Sequence, residues 1–234
     1  MAKKTYTSDE PTLVEKNVGE LLSKTDVFVE KYLKQTIVAI AAIIIIVIGS
    51  IGFHYYYLVP KSHEAEKAIF VAQNYFESQQ WELALNGDSL GNLGFLDVIS
   101  DFGSTSSSNL SKVYAGLCEY QLKDYESALK HLKSYSIKDQ LFGAQVLAAI
   151  GDCEVNLGNV KESVSYFGKA AAKANSSQFS PIYLNKEAIA YESLGEYKKA
   201  LAVYEKIKSQ YPQSPEAVSI DKYIERAKLQ LKGE

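Results

Sequence analysis

The sequence predicts an all-α protein: a single transmembrane helix followed by an α-solenoid of paired helices, closed by a C-terminal capping helix. Three observations predict it. Every residue from Ile37 to Phe53 is Ile, Val, Ala, Gly, Phe or the single Ser50. From Ser62 onward, apolar residues recur at helical spacing and no alternating strand pattern of useful length occurs. Small residues also recur on successive predicted helices, with 35 positions from Gly116 to Gly151 and 37 from Gly151 to Ala188.

The span is fixed by length. At about 1.5 Å per residue, a helix over residues 36–59 crosses a hydrocarbon core of about 30 Å. No charged residue falls between Lys34 and Lys61, whereas a core helix of a soluble domain keeps one wet face. A cleaved signal peptide is disfavoured, because a long mixed-charge stretch precedes the apolar run and the run exceeds an h-region of about 7–15 residues. Tyr55, Tyr56 and Tyr57 sit where amphipathic rings favour the headgroup level, and Pro60 and Lys61 are expected to close the segment. The protein is thereby expected to contact the lipid bilayer through residues 36–59.

Residues 1–35 form a polar tail of mixed charge. Val14, Val18, Leu21, Leu22, Phe28, Val29 and Tyr32 fall at three- and four-residue steps, the pattern of an amphipathic helix from about Thr12 that runs into the span. The alternative is a partly disordered tail, since an isolated amphipathic helix has nothing of its own to pack against. Lys24, Lys31 and Lys34 flank this end of the span and only Lys61 and Lys67 the other, which orients the N-terminus to the cytoplasm.

The formal net charge is −3 and no long basic run occurs, so the electrostatic footprint of a nucleic-acid binder is missing. Cys118 and Cys153 have neither metal-knuckle nor redox spacing. In the repeat register they occupy the same inward position of successive hairpins and are expected to be small buried thiols. His54, His63 and His131 are scattered, with no partner pattern for acid–base or nucleophilic work. No catalytic residue, metal, cofactor or small-molecule substrate is expected, and the protein is not expected to be an enzyme.

The repeat domain is placed at residues 62–234. A small residue on one helix is followed twelve positions later by another on the next: Gly116 and Ala128, Gly151 and Ser163, Ala188 and Ala200. Between them lie the turns Leu122–Tyr125, Leu157–Val160 and Leu194–Tyr197. Two antiparallel helices approach closely only where their backbones present small side chains, and Leu132, Phe167 and Tyr204, four residues further on, are expected to face the next hairpin. These features resemble the tetratricopeptide repeat, whose period is about 34 residues. A degraded first unit is read at Ala72, Tyr75, Trp81 and Ala84, its second helix interrupted by the loop Asn86–Gly94, which lacks the Gly-Lys-Ser/Thr ending of a phosphate cradle. Glu119 and Glu154 depart from the family pattern, standing where it has a large apolar residue. One helix from Pro215 to Leu231, apolar at Ala217, Ile220, Ile224, Ala227 and Leu231, is expected to cap the stack.

The resemblance implies a groove lined by the first helix of each hairpin. Its residues are expected to be Ile69, Gln73 and Phe76, then Val113, Leu117, Tyr120 and Gln121, then Ala148, Asp152, Val155 and Asn156, then Asn185, Ile189 and Glu192. This lining reads as mostly apolar with a few amides, suited to an extended or helical apolar segment. The alternative is that the chain's own insertion or capping helix covers it.

A short tail carrying Phe28-Val29-Glu30-Lys31-Tyr32, one span, and a repeat domain entered directly from it resemble the YfgM-type ancillary subunits of the Sec translocon. That resemblance implies a bacterial inner-membrane protein with its repeat domain in the periplasm, whose partners are translocon subunits, chaperones or exported chains. The rival readings are an envelope-assembly scaffold holding one fixed partner and a membrane-tethered regulator of an enzyme. Fold and anchor alone do not name the ligand.

Overall fold

The computed structural model describes the backbone of residues 13–137 and 139–233, and their side chains except those of residues 13–31, 34 and 233. The chain divides into two units between Tyr57 and Leu58.

The first unit is built on α1 (Leu13–Phe53), a 41-residue helix. The expected amphipathic face of Val14, Val18, Leu21, Leu22, Phe28 and Val29 lies outside the residues whose side chains are described. From Gln35 onward the helix contains a stretch long and apolar enough to cross a membrane, with none of that stretch buried. Ile45, Ile46 and Ile48 are 64–70% exposed, so none of the described residues covers them. A π-helical segment, His54–Leu58, follows α1. Pro60 does not close the segment as expected. It occupies the first turn of α2 (Val59–Glu77), where a missing amide is tolerated, directly after the stretch in which the hydrogen-bond register slips.

The second unit is a stack of helical hairpins. α2 pairs with the short α3 (Trp81–Asn86), which is followed by α4 (Phe95–Asp101). Then come α5 (Ser106–Gln121) with α6 (Tyr125–Ser134), and α7 (Gln140–Asn156) with α8 (Val160–Ala174). The last pair is α9 (Ser180–Ser193) with α10 (Tyr197–Gln210). The described residues hold no strand.

The same turn closes all four hairpins. Gln79, Lys123, Gly158 and Gly195 have φ of 58°, 67°, 82° and 73°. Each donates its amide to the carbonyl three residues back, and the next residue donates to the carbonyl five back, at 2.8–3.0 Å. This is the Schellman closure, in which a left-handed residue satisfies helix-end carbonyls. Its presence at Gln79 gives the degraded first hairpin the same closure as the other three. Helix starts are fixed by side chains: Thr105, Asp124, Asp139 and Ser214 accept the amides of Ser108, Ser127, Phe142 and Ala217, satisfying first-turn donors.

Within the hairpins, Gly116, Ala128, Gly151, Ser163, Ala188 and Ala200 are all buried. The glycines make room for the large side chains of the paired helix. A Cβ on Gly116 would lie 2.7 Å from Leu132 Cγ, and one on Gly151 would lie 2.6 Å from the Phe167 ring. Leu132 and Phe167 thus seat in their own hairpins as well as meeting the next. Leu132 shares a buried cluster with Val146, Ile150 and Cys153 of α7, and Phe167 one with Ala190 of α9. Tyr204 is buried with Ala188, Ile220 and Ile224 and stacks on Tyr223 at 5.5 Å.

The first hairpin is filled differently. Phe76, Trp81, Phe95 and Tyr114 form an aromatic cluster with centroids 5.0–6.3 Å apart, in the offset and edge-on geometries rings prefer. The Asn86–Gly94 insertion closes tightly, since a Cβ on Gly87 (φ 78°) would lie 2.3 Å from Asn92 O.

The capping segment is two helices where one was expected, α11 (Pro215–Val218) and α12 (Ile220–Gly233). The chain breaks at Ser219, leaving Val218 87% exposed while Ile220, Ile224 and Ala227 enter the core. A straight helix would hold Ala217 and Val218 in a fixed rotation relative to this stripe; the break releases that constraint.

Lys123 carries a side chain in the left-handed region where its two clear counterparts are glycine. Lys123→Gly is expected to raise stability by about 1 kcal/mol, the order of the strain a Cβ adds there. Chemical denaturation would show it, and a midpoint that falls would mean the turn does not hold this conformation.

Candidate functional site

The inner face of the stack is formed by the first helices of the hairpins and by α12. Its sequence register predicts side chains one repeat apart on neighbouring helices, and three polar links connect such pairs. Asn156 on α7 donates to Tyr120 OH on α5 at 3.2 Å. Lys186 on α9 donates to both carboxylate oxygens of Asp152 on α7 at 2.7 Å. Arg226 on α12 binds Glu192 on α9 through two nitrogens, the Nε contact being 3.2 Å. These links tie each first helix to its successor, from α5 to α12.

The expected lining residues divide into three groups. Ile69 and Val113 are buried, which corrects their placement in the groove. Ile69 clusters with Ala115 and Cys118 of α5, and Val113 with Val146 and Ile150 of α7; the following hairpin covers this part of each first helix. Ala148 is buried for the same reason. Phe76 belongs to the aromatic cluster, and Leu117 and Tyr120 pack half-buried against the α5–α7 core. Gln73 and Asn185 are half-buried. Only Gln121, Val155, Asn156 and Ile189 are exposed, with Asp152 and Glu192 half-buried in their ion pairs. The lining is therefore not mostly apolar: charge pairs and amides surround one small apolar patch.

That patch is a cavity of about 170 Å³ at the α7–α9 seam. Phe167 and Ala190 form its floor, Val155 and Ile189 its walls, and Asp152, Lys186 and Ser193 its rim. Val155 is 40% and Ile189 46% exposed. Ile189 and Ser193 also line an open cleft that continues to Glu192, Arg226 and Gln230.

Sequence reading missed the partners of the two buried glutamates. Glu119 accepts from or pairs with His131 Nδ1 at 2.7 Å. Glu154, one repeat later, pairs with Lys133 at 2.8 Å and accepts from Asn159 at 2.9 Å. Lys133 sits on α6, so this bond crosses between hairpins. The available signal was an acid twice in an apolar position, which a buried charge tolerates only with partners. Burial pushes the Glu154 carboxyl up, but the bonds from Lys133 and Asn159 outweigh it and hold the group below its ordinary 4.5.

Other polar groups are committed to structure. The insertion loop is no phosphate cradle: the amides of Leu90 and Asn92 point at the carboxylate of Asp88, which also accepts from Tyr75 OH at 2.5 Å. The Tyr75 bond and those from Asn92 lower Asp88 to about 2. Cys118 and Cys153 are buried and free, and burial pushes each thiol up to about 12, which keeps them protonated and poor nucleophiles. Among the described residues, no group of three or more His, Cys, Asp or Glu side chains could hold a metal ion.

Residues 186–214, spanning most of α9 and all of α10, match the family described as Tetratricopeptide repeat. No curated protein matches the chain. Among solved structures, it is similar to the crystal structure of a Rap protein complexed with competence and sporulation factor, at 24% identity and a TM-score of 0.48. The match covers 70% of this chain and 46% of that one, so the chain spans less than half of that protein's length. The family match and the four identical turns define the class: an all-α protein with a tetratricopeptide-type helical repeat.

Because Glu154 has a lowered carboxyl in the folded state, its contribution to stability is present above pH 4.5 and is lost as pH falls through the lower folded value. Glu154→Gln is expected to flatten that part of the stability–pH curve. Urea denaturation between about pH 3 and pH 6 measures it, and an unchanged slope would remove the pair from the acid response.

Proposed function

We propose that this protein is a membrane-anchored interaction scaffold: α1 holds it in a bilayer, and the inner face of its helical stack holds a segment of another protein. It acts by binding and carries out no reaction of its own. The observation that carries the reading is the cavity at the α7–α9 seam, an opening that the described residues leave unfilled on the face where neighbouring repeats are otherwise joined by polar links.

The anchor is supported by the exposed aliphatic surface of α1, by a length sufficient for the hydrocarbon core, and by the tyrosines at its end. The lysine bias across the span supports a cytoplasmic N-terminus and a repeat domain on the opposite side, in the bacterial periplasm. The arrangement of tail, span and repeat supports an accessory role beside the Sec translocon, with translocon subunits, chaperones or exported chains as partners.

A photo-crosslinking residue at Val155, in cells expressing the full chain, tests this, with one at the exposed outer-helix position Glu205 as comparison. Adducts with translocon subunits or exported chains at Val155 and not at Glu205 are expected. A single stoichiometric partner from another envelope assembly would transfer the scaffold to that machinery. Adducts that follow the span when it is exchanged, and ignore Val155, would make the span the recognition element.

A further inference from the structure

We infer that the α7–α9 cavity selects one uncharged apolar side chain, no larger than a phenyl ring, from a neutral segment of the partner protein. This rests on the preceding reading that the inner face binds protein segments, and it specifies the chemistry of that segment.

Size is the first argument. A cavity of about 170 Å³ compares with the roughly 150 Å³ apolar cavity that accepts benzene, so it seats one side chain of the leucine, methionine or phenylalanine class. Its floor is already dry, since Phe167 is 2% and Ala190 3% exposed. Its walls are the two exposed aliphatic side chains of the inner face, Val155 and Ile189, and covering them removes apolar surface from water.

Charge is the second argument, and it concerns the rim. On the rim, both oxygens of Asp152 accept from Lys186, and in the adjoining cleft Glu192 is paired with Arg226. Acid and base balance in both places, so the mouth carries no net charge to attract a charged tail. The uncharged groups at the rim and beside it are satisfied too. Ser193 donates its hydroxyl to Ile189 O at 2.9 Å, and the Asn156 amide donates to Asp152 O at 2.8 Å and to Tyr120 OH. An acidic or basic side chain would meet only groups already engaged by an opposite charge, which reduces what it gains by binding here. The electrostatic complement of this rim is a neutral segment, and binding governed by apolar fit is insensitive to salt.

The full chain in lipid nanodiscs, panned against a displayed library of random ten-residue peptides, tests the inference. Selected peptides are expected to carry one Leu, Ile, Met or Phe in an uncharged context. Their affinity should change less than about twofold between low and high salt. It should fall about tenfold or more in Val155→Asp and in Ile189→Asp, both at exposed positions. Selection of acidic or basic peptides that bind less well in salt, and that depend on Lys186 or Arg226, would overturn the inference while leaving the inner face as the binding surface. Peptides indifferent to every inner-face variant, or no selection at all, would overturn both.

Discussion

The structure depends on how closely two helices of a hairpin can approach. Gly116 faces Leu132 and Gly151 faces the Phe167 ring at separations that leave no space for a methyl group. Each large side chain is held in its own hairpin by the missing Cβ opposite it, and reaches onward to the next hairpin. One contact therefore sets both the width of a repeat and its stacking on its neighbour. The turn that precedes it is equally constrained: a left-handed residue follows each first helix, and the chain supplies glycine twice, lysine once and glutamine once.

The inner face follows from that spacing. With first helices at a fixed separation, side chains one repeat apart come within reach of each other, and the chain uses these positions for Asn156–Tyr120, Asp152–Lys186 and Glu192–Arg226. Such half-exposed pairs add little stability individually. Their effect is to neutralise the surface, so that the Val155–Ile189 gap is the place where apolar surface remains uncovered at the α7–α9 seam. Glu154–Lys133 is a cross-hairpin link between a buried carboxylate and an exposed ammonium.

The repeat was legible in the sequence because small residues that permit close approach leave a mark no other residue type imitates, as the steps through Gly116, Gly151 and Ala188 show. The first hairpin was legible for the same reason at Ala72 and Ala84, although its left-handed residue is Gln79 and carries no glycine signature. Groove residues were less legible. Periodicity places Ile69, Val113 and Phe76 on the first helices, but only the packing of the following hairpin decides that they are covered. The break at Ser219 and the passage of helix through Pro60 were hidden because neither residue type dictates its outcome: a serine breaks no helix by itself, and a proline is compatible with a helix start. His131 and Lys133, the basic partners of Glu119 and Glu154, lie on α6, beyond the reach of local spacing.

The central claim is that a large side chain seated on a small residue of the paired helix fixes a repeat, and a double-mutant cycle on Gly151 and Phe167 measures it most directly. Gly151→Ala overpacks the seat, which typically costs about 1–3 kcal/mol, and Phe167→Leu removes the ring atoms that would meet the new methyl group. Denaturation of the full chain bearing each change and both gives the coupling. The account predicts that the double variant is more stable than the sum of the single losses allows, by roughly 1 kcal/mol. Strictly additive losses would contradict it, because Gly151 and Phe167 would then not share the space on which the repeat is built.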